Sequence, residues 1–189
     1  MVNKALLAVY FIIFLLTAGT HAAADHIDQR LKTGGHVLLI RHAFAPGSGD
    51  PEDFRVGDCA TQRNLNEQGR SQARAIGRWL RSRAIDSARI FSSQWCRCLD
   101  TAELIGLGAV AELPALNSFY GRPLDAEPNL TALRTFLSQQ PADGELIVMV
   151  THFVTISGLT GNGVSAGEGV VLRLTGAENF EVVGRLAFF

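Results

Sequence analysis

Along the chain, short unbroken apolar runs alternate with stretches in which apolar residues recur every three or four positions. HVLLI at 36–40 and ELIVMVT at 145–151 are of the first kind. Runs of that length predict strands buried on both faces, as in the middle of a parallel sheet. RIFS at 89–92 predicts another short strand, and 169–174 and 180–188 alternate as two closing strands. Between the strands, 66–83 sets Ala73, Ile76, Trp79 and Leu80 on one helical face behind Asn66, a good N-cap residue. Segments 96–105, 128–139 (opened by Pro128) and a stretch from 154 to 159 predict further helices. Strand and helix in alternation predict an α/β fold, a three-layer sandwich with a central, mostly parallel sheet.

The first 24 residues follow a different pattern. Lys4 precedes an almost wholly apolar stretch at 5–16, and small residues follow at 20–24. The apolar stretch falls short of the ~20 residues a membrane span needs, and the order of features is that of a secretory signal peptide cleaved after Ala22 or Ala24. The expectation is a periplasmic or secreted protein, with 25–189 as one catalytic domain and no stable membrane insertion after cleavage. Its 189 residues, 47% hydrophobic and 19% charged, suit one globular domain. A net charge of −1 supplies no basic surface for nucleic acid.

Export gives weight to the three cysteines, Cys59, Cys96 and Cys98. Residues two apart rarely satisfy disulfide geometry, so a bond from Cys59 to Cys96 or to Cys98 is expected.

The candidate chemistry lies at the strand ends. The first strand runs into Arg41 and His42, the second leads to a helix with Arg97 in its first turn, and the strand at 145–151 delivers His152. Parallel strands bring these ends to one edge, where ligands of open α/β sheets bind. The connection from Arg41 to Asn66 is crowded with Pro46, Gly47, Gly49, Pro51 and Gly57. It far exceeds the usual ~2–6 residues and holds the polar string DCATQR at 58–63. Arginine forks suit phosphate oxygens, a neutral histidine can attack phosphorus, and a phosphoryl transition state is stabilised by fixed positive charge. Two arginines and two histidines meet that need without a metal or another cofactor.

These residues resemble the histidine phosphatase superfamily, which includes the phosphoglycerate mutases and the histidine acid phosphatases. Arg41-His42-Ala43 is similar to its Arg-His-Gly hallmark, LNEQGRSQARAIG (65–77) to its first helix, 93–102 to its second motif and VTHF to its second histidine motif. The resemblance implies a phosphoglycerate mutase-like fold. It also implies a metal-independent phosphomonoester hydrolase acting on a small phosphorylated substrate through phospho-His42, with Arg41 and Arg97 as phosphate clamps and His152 as second imidazole. Four positions depart from the pattern. Ala43 replaces a glycine and Gln94 a common proline. Asn117 stands where one branch has a glutamate, and Phe153 where another has an aspartate. The proton donor is therefore sought elsewhere, at Glu168 or Asp58, with Asp58, Gln62 and Arg63 as residues lining the substrate pocket. Three alternatives stay open: a mutase, a silent phosphate or phosphosugar receptor, and a metal site from His42, His152 and the cysteines, whose spacing matches no compact metal motif.

Overall fold

A computed structural model describes residues 27, 29–176 and 179–188. The expected signal peptide at 1–24 lies outside these residues. Among the described residues no helix is long and apolar enough to cross a membrane.

Six strands form one sheet: β1 (His36–Arg41), β2 (Arg89–Ser92), β3 (Val110–Glu112), β4 (Ile147–Thr151), β5 (Gly169–Gly176) and β6 (Asn179–Leu186). Their order is β3-β2-β4-β1-β5-β6. β1, β2, β3 and β4 run parallel, and β5 and β6 close the sheet antiparallel. Among the described residues, helices α1 (Glu67–Arg81), α2 (Cys96–Ile105), α3 (Ala126–Ser138) and α4 (Phe153–Thr160) cover it.

The alternation within each strand decides the layers. In β1, Leu38 and Ile40 face one side, where they meet Ile76 and Leu80 of α1 and Ala102 and Ile105 of α2. Val37 and Leu39 face the other side and pack with Leu130, Leu133 and Leu137 of α3 and Ile156 of α4. Each of these side chains is nearly or fully removed from water, and each valine, leucine or isoleucine among them contributes roughly 1.5–3 kcal/mol of burial free energy. The expected three-layer sandwich is the observed one.

Several boundaries differ from the pattern reading. β3 was not foreseen, since it is three residues long and only Val110 is partly buried, which leaves no periodicity to read. α3 begins at Ala126, two residues before Pro128; a proline in the first turn removes a donor that has no intrahelical acceptor there. α1 stops at Arg81, and Ala84 takes φ 58 in the turn that follows.

The sheet and helices also fix the chain beyond β1. Asn66 Oδ1 accepts from Gly69 N at 2.9 Å to cap α1. Gly69 itself lets α1 approach the chain closely: a Cβ there would stand 2.0 Å from the Phe44 carbonyl oxygen. Gln72 accepts from Phe44 N at 2.9 Å and donates to Ala166 O at 2.8 Å. Ala43 N donates to Thr101 Oγ1 at 3.0 Å. The residues flanking His42 are thus tied to α1, α2 and the turn before β5.

Candidate active site

Parallel register aligns the strand ends. Arg41 pairs with Thr151 and Ser92 with Val150, so His42, Ser93 and His152 emerge side by side. His42 N donates to Thr151 O at 2.9 Å and Ser93 N to Val150 O at 3.0 Å. Arg97, second residue of α2, comes in from the same edge. These ends open into a cleft of about 190 Å³ whose lining includes Arg41, His42, Asp50, Arg63, Arg97 and His152.

His42 is only 3% exposed. Its Nδ1 lies 2.8 Å from the Ala43 carbonyl oxygen, which can only accept, so Nδ1 carries the proton. The Nε2 lone pair is left pointing into the cleft, where Arg97 Nε donates to it at 3.3 Å. Burial, partly opposed by the Ala43 hydrogen bond and reinforced by Arg97, Arg63 and Arg41, lowers the imidazole pKa to about 3. His42 is thereby held neutral and oriented, with an unprotonated nitrogen on the cleft. Ala43 takes no positive φ, in keeping with alanine at this position.

The rings of His42 and His152 meet edge to face with centroids 5.5 Å apart. Ser93 Oγ lies 2.9 Å from His152 Nε2. Trp95 N donates to the same hydroxyl oxygen at 3.3 Å. Burial, then the neighbouring His42 and the arginines, holds His152 well below the ordinary histidine range. Ser93 Oγ donates its one proton to Asn117 Oδ1 at 3.2 Å, so toward His152 it acts as acceptor and the proton of the neutral ring sits on Nε2.

Arg97 is 3% exposed. Its Nη1 and Nη2 donate to the two oxygens of Asp50 at 2.6 and 3.1 Å, and Nη1 also reaches Arg63 O at 3.2 Å. Asp50 further accepts from Trp95 Nε1 at 3.0 Å and from Arg63 N at 3.3 Å. Burial pushes this carboxyl up, but Arg97, Trp95 and the Arg63 amide outweigh burial and hold it below its ordinary value. Arg41 donates to Val164 O at 3.1 Å and stacks near Phe153, 5.5 Å from the ring centroid. Arg63 holds the loop from within, donating to Gly49 O at 2.7 Å and Ala45 O at 2.5 Å. Three guanidinium groups and one carboxylate leave the cup cationic around two neutral imidazoles.

The structure brings Arg41, His42, Arg97 and His152 together. It places Glu168, Asp58 and Gln62 outside the cleft lining. Glu168 accepts from Ser165 N at 2.9 Å within its own turn and faces Arg185 at 3.4 Å. Asp58 caps the short 3₁₀ turn Cys59–Thr61 and pairs with Arg55. Gln62 is buried, donating to Arg55 O and accepting from Cys96 N, both at 2.9 Å. These three groups are spent on turns and on the loop, because each has backbone partners within its own segment or at the start of α2. Asn117 is likewise engaged: it accepts from Gln94 N and donates to Gln94 Oε1, both at 2.9 Å.

Cys59 is bonded to Cys96, leaving Cys98 as a free, buried thiol. Burial raises the Cys98 pKa to about 12, so it is an inert thiol packed 3.5 Å from His152 Nε2. Sequence reasoning missed Asp50 and Ser93. A buried Arg97 demands a carboxylate, which was the one available signal for Asp50.

The class these features define is an α/β protein with a cationic, imidazole-bearing cup at the carboxyl ends of parallel strands. Residues 37–119 match the family model of the histidine phosphatase superfamily, branch 1. Over that stretch, a little under half of its length, the chain is similar to that superfamily. Over 82 residues it is 30% identical to the mitochondrial serine/threonine-protein phosphatase Pgam5 of Drosophila willistoni, a match covering 43% of this chain and 25% of that protein. The chain therefore spans about a quarter of this curated relative. Among solved structures it shares its fold with the protein histidine phosphatase SixA complexed with tungstate (TM-score 0.60, 14% identity, 81% of this chain and 97% of that one). A phosphoserine phosphatase mutant of Entamoeba histolytica in complex with phosphoserine is similar to the same degree (TM-score 0.59, 14% identity, 81% and 97%).

Proposed function

We propose that the protein is a phosphomonoester hydrolase that transfers the phosphoryl group to His42 and then to water, exported from the cytoplasm as one catalytic domain. The observation that carries the reading is the His42 ring: Nδ1 is tied to a carbonyl, and Nε2 faces the cleft beside a buried arginine fork. A phosphoryl group bound in line with Nε2 meets Arg41, Arg63 and Arg97, whose charges match the three equatorial oxygens of the transition state. His152 stands beside the site as a second, neutral imidazole. The His42 lone pair forms the P–N bond as the ester P–O bond breaks, and water later takes the phosphoryl group from nitrogen. Export is supported by the apolar leader and by the Cys59–Cys96 bond, which suits an oxidising compartment.

A silent phosphate receptor is the second reading, favoured by the engaged Asn117 where one family branch places an acid. One assay separates the two. The purified protein and H42A are given p-nitrophenyl phosphate with chelator present, and samples quenched in alkali, where a P–N bond survives, are searched by mass spectrometry at neutral to alkaline pH for phosphorylated His42. Chelator-resistant turnover, lost in H42A and accompanied by the phosphopeptide, is expected. Tight orthophosphate binding without turnover supports the receptor instead.

A further inference from the structure

Resting on that hydrolase reading, we infer that Asp50 is the residue that protonates the leaving oxygen, armed when the substrate takes Arg97 away from it. Breaking a P–O bond to an alkoxide leaves a strong base, and a positioned acid accelerates such a step by ~10²–10⁴. Among the described residues that line the cleft, Asp50 is the one carboxyl group. The other candidate donors are poorly suited. His152 is a neutral ring turned toward Ser93, the hydroxyls of Ser48 and Ser118 are far weaker acids than a carboxyl group, and Tyr120 is 64% exposed at the mouth.

The placement fits the direction of the reaction. One guanidinium separates His42 Nε2 from the Asp50 carboxylate, with Arg97 Nε on the imidazole and its Nη atoms on the carboxylate. A phosphoryl group with its leaving oxygen spans a comparable gap. Asp50 therefore lies on the far side of phosphorus from the nucleophile, where an in-line leaving group departs.

Partner exchange supplies the acidity. In the free protein each Nη of Arg97 gives a hydrogen to Asp50, so a phosphoryl group that takes both Nη atoms end-on displaces the carboxylate. Asp50 then loses its cation and gains a dianionic neighbour, and both changes favour its protonated form. Trp95 Nε1 and Arg63 N still hold it at the cleft wall. It takes a proton from solvent or from the monoanionic substrate. As the Nε2 lone pair bonds to phosphorus, the P–O electron pair goes to the leaving oxygen, which receives the Asp50 proton and departs as the alcohol. The Asp50 carboxylate then accepts a proton from the water attacking phosphohistidine, and the P–N pair returns to His42. Orthophosphate leaves, the proton goes to solvent, and Arg97 rejoins Asp50.

The test compares wild type, D50N and D50E on ethyl phosphate, a poor leaving group, and p-nitrophenyl phosphate, a good one. D50N is expected to lose ~10²–10⁴ in kcat/KM on the alkyl ester and less than about tenfold on the aryl ester. D50E should recover part of the alkyl activity. The readout is the alkyl-to-aryl ratio, which stays fixed if a variant merely folds into fewer active molecules. An unchanged ratio in a D50N that retains measurable turnover overturns the role of Asp50 while the hydrolase reading stands. Higher kcat/KM on both esters with tighter orthophosphate binding overturns it as well, and makes Asp50 a competing internal anion. Wild type inert on both esters sinks the hydrolase reading and the role of Asp50 with it.

Discussion

Reduction of the Cys59–Cys96 bond is expected to lower stability strongly and activity moderately. The bond closes a segment with a sequence separation of 37, which contains Gln62, Arg63 and all of α1. Chain-entropy reasoning for a loop of that length gives about 4 kcal/mol of stabilisation, through the restricted unfolded chain. For a chain of this size, each kcal/mol moves the melting temperature by ~2–4 °C, so a fall of roughly 8–16 °C is expected. Activity should fall less. Cys96 opens α2 directly before Arg97, but its amide stays bound to Gln62 Oε1 at 2.9 Å and Arg97 stays paired with Asp50. A loss of about tenfold in kcat/KM corresponds to ~1.4 kcal/mol of lost positioning. The assay is thermal unfolding by circular dichroism with and without a phosphine reductant, repeated on C59S/C96S, beside turnover of p-nitrophenyl phosphate. Cys98 is fully buried, so it should resist alkylation in the folded, reduced protein while Cys59, on the exposed loop, reacts. A melting shift below about 2 °C in both reduced protein and double variant would refute the reasoning, because the loop would then gain nothing from its covalent closure.

Two further outcomes follow from the buried imidazoles. His36, His42 and His152 all have folded-state pKa values below the unfolded one, chiefly through burial. The unfolded chain therefore binds more protons below pH ~6.5, so stability is fully present above that pH and declines as pH falls toward 3, the value to which His42 is lowered. Urea unfolding at pH 4, 5 and 7 checks this, and a pH-independent midpoint would contradict it. Removing the Ser93 hydroxyl, 2.9 Å from His152 Nε2, should free the tautomer of that ring. In S93A the nitrogen-15 shifts of His152 are expected to show the proton redistributed between Nδ1 and Nε2, with kcat/KM down by about tenfold; unaltered shifts would show that Ser93 does not set the tautomer.

The four basic residues were legible because topology acts on sequence directly. Once alternating strands and helices imply a parallel sheet, Arg41, His42 and His152 must reach one edge, and Arg97 follows from opening the helix after β2. What stayed hidden depends on the path of the chain between elements. The pairing of Cys59 is such a case: Cys96 and Cys98 stand two residues apart on α2, so their side chains diverge by about 200° around the axis. Only the position of the loop decides that Cys96 faces it while Cys98 turns to the core.

Asp50 was hidden for the same reason, though charge balance points toward it. A guanidinium buried as deeply as Arg97 costs several kcal/mol unless a carboxylate meets it. Four acids lie in the loop after β1, namely Asp50, Glu52, Asp53 and Asp58. Glu52 and Asp53 remain exposed and Asp58 caps its own turn. Asp50 alone of these is carried to Arg97, because Arg63 grips the carbonyls of Ala45 and Gly49 and turns the next residue inward. Arg63 thereby has two tasks, one charge in the cup and one clasp on the loop, and the clasp sets the carboxylate opposite the nucleophile.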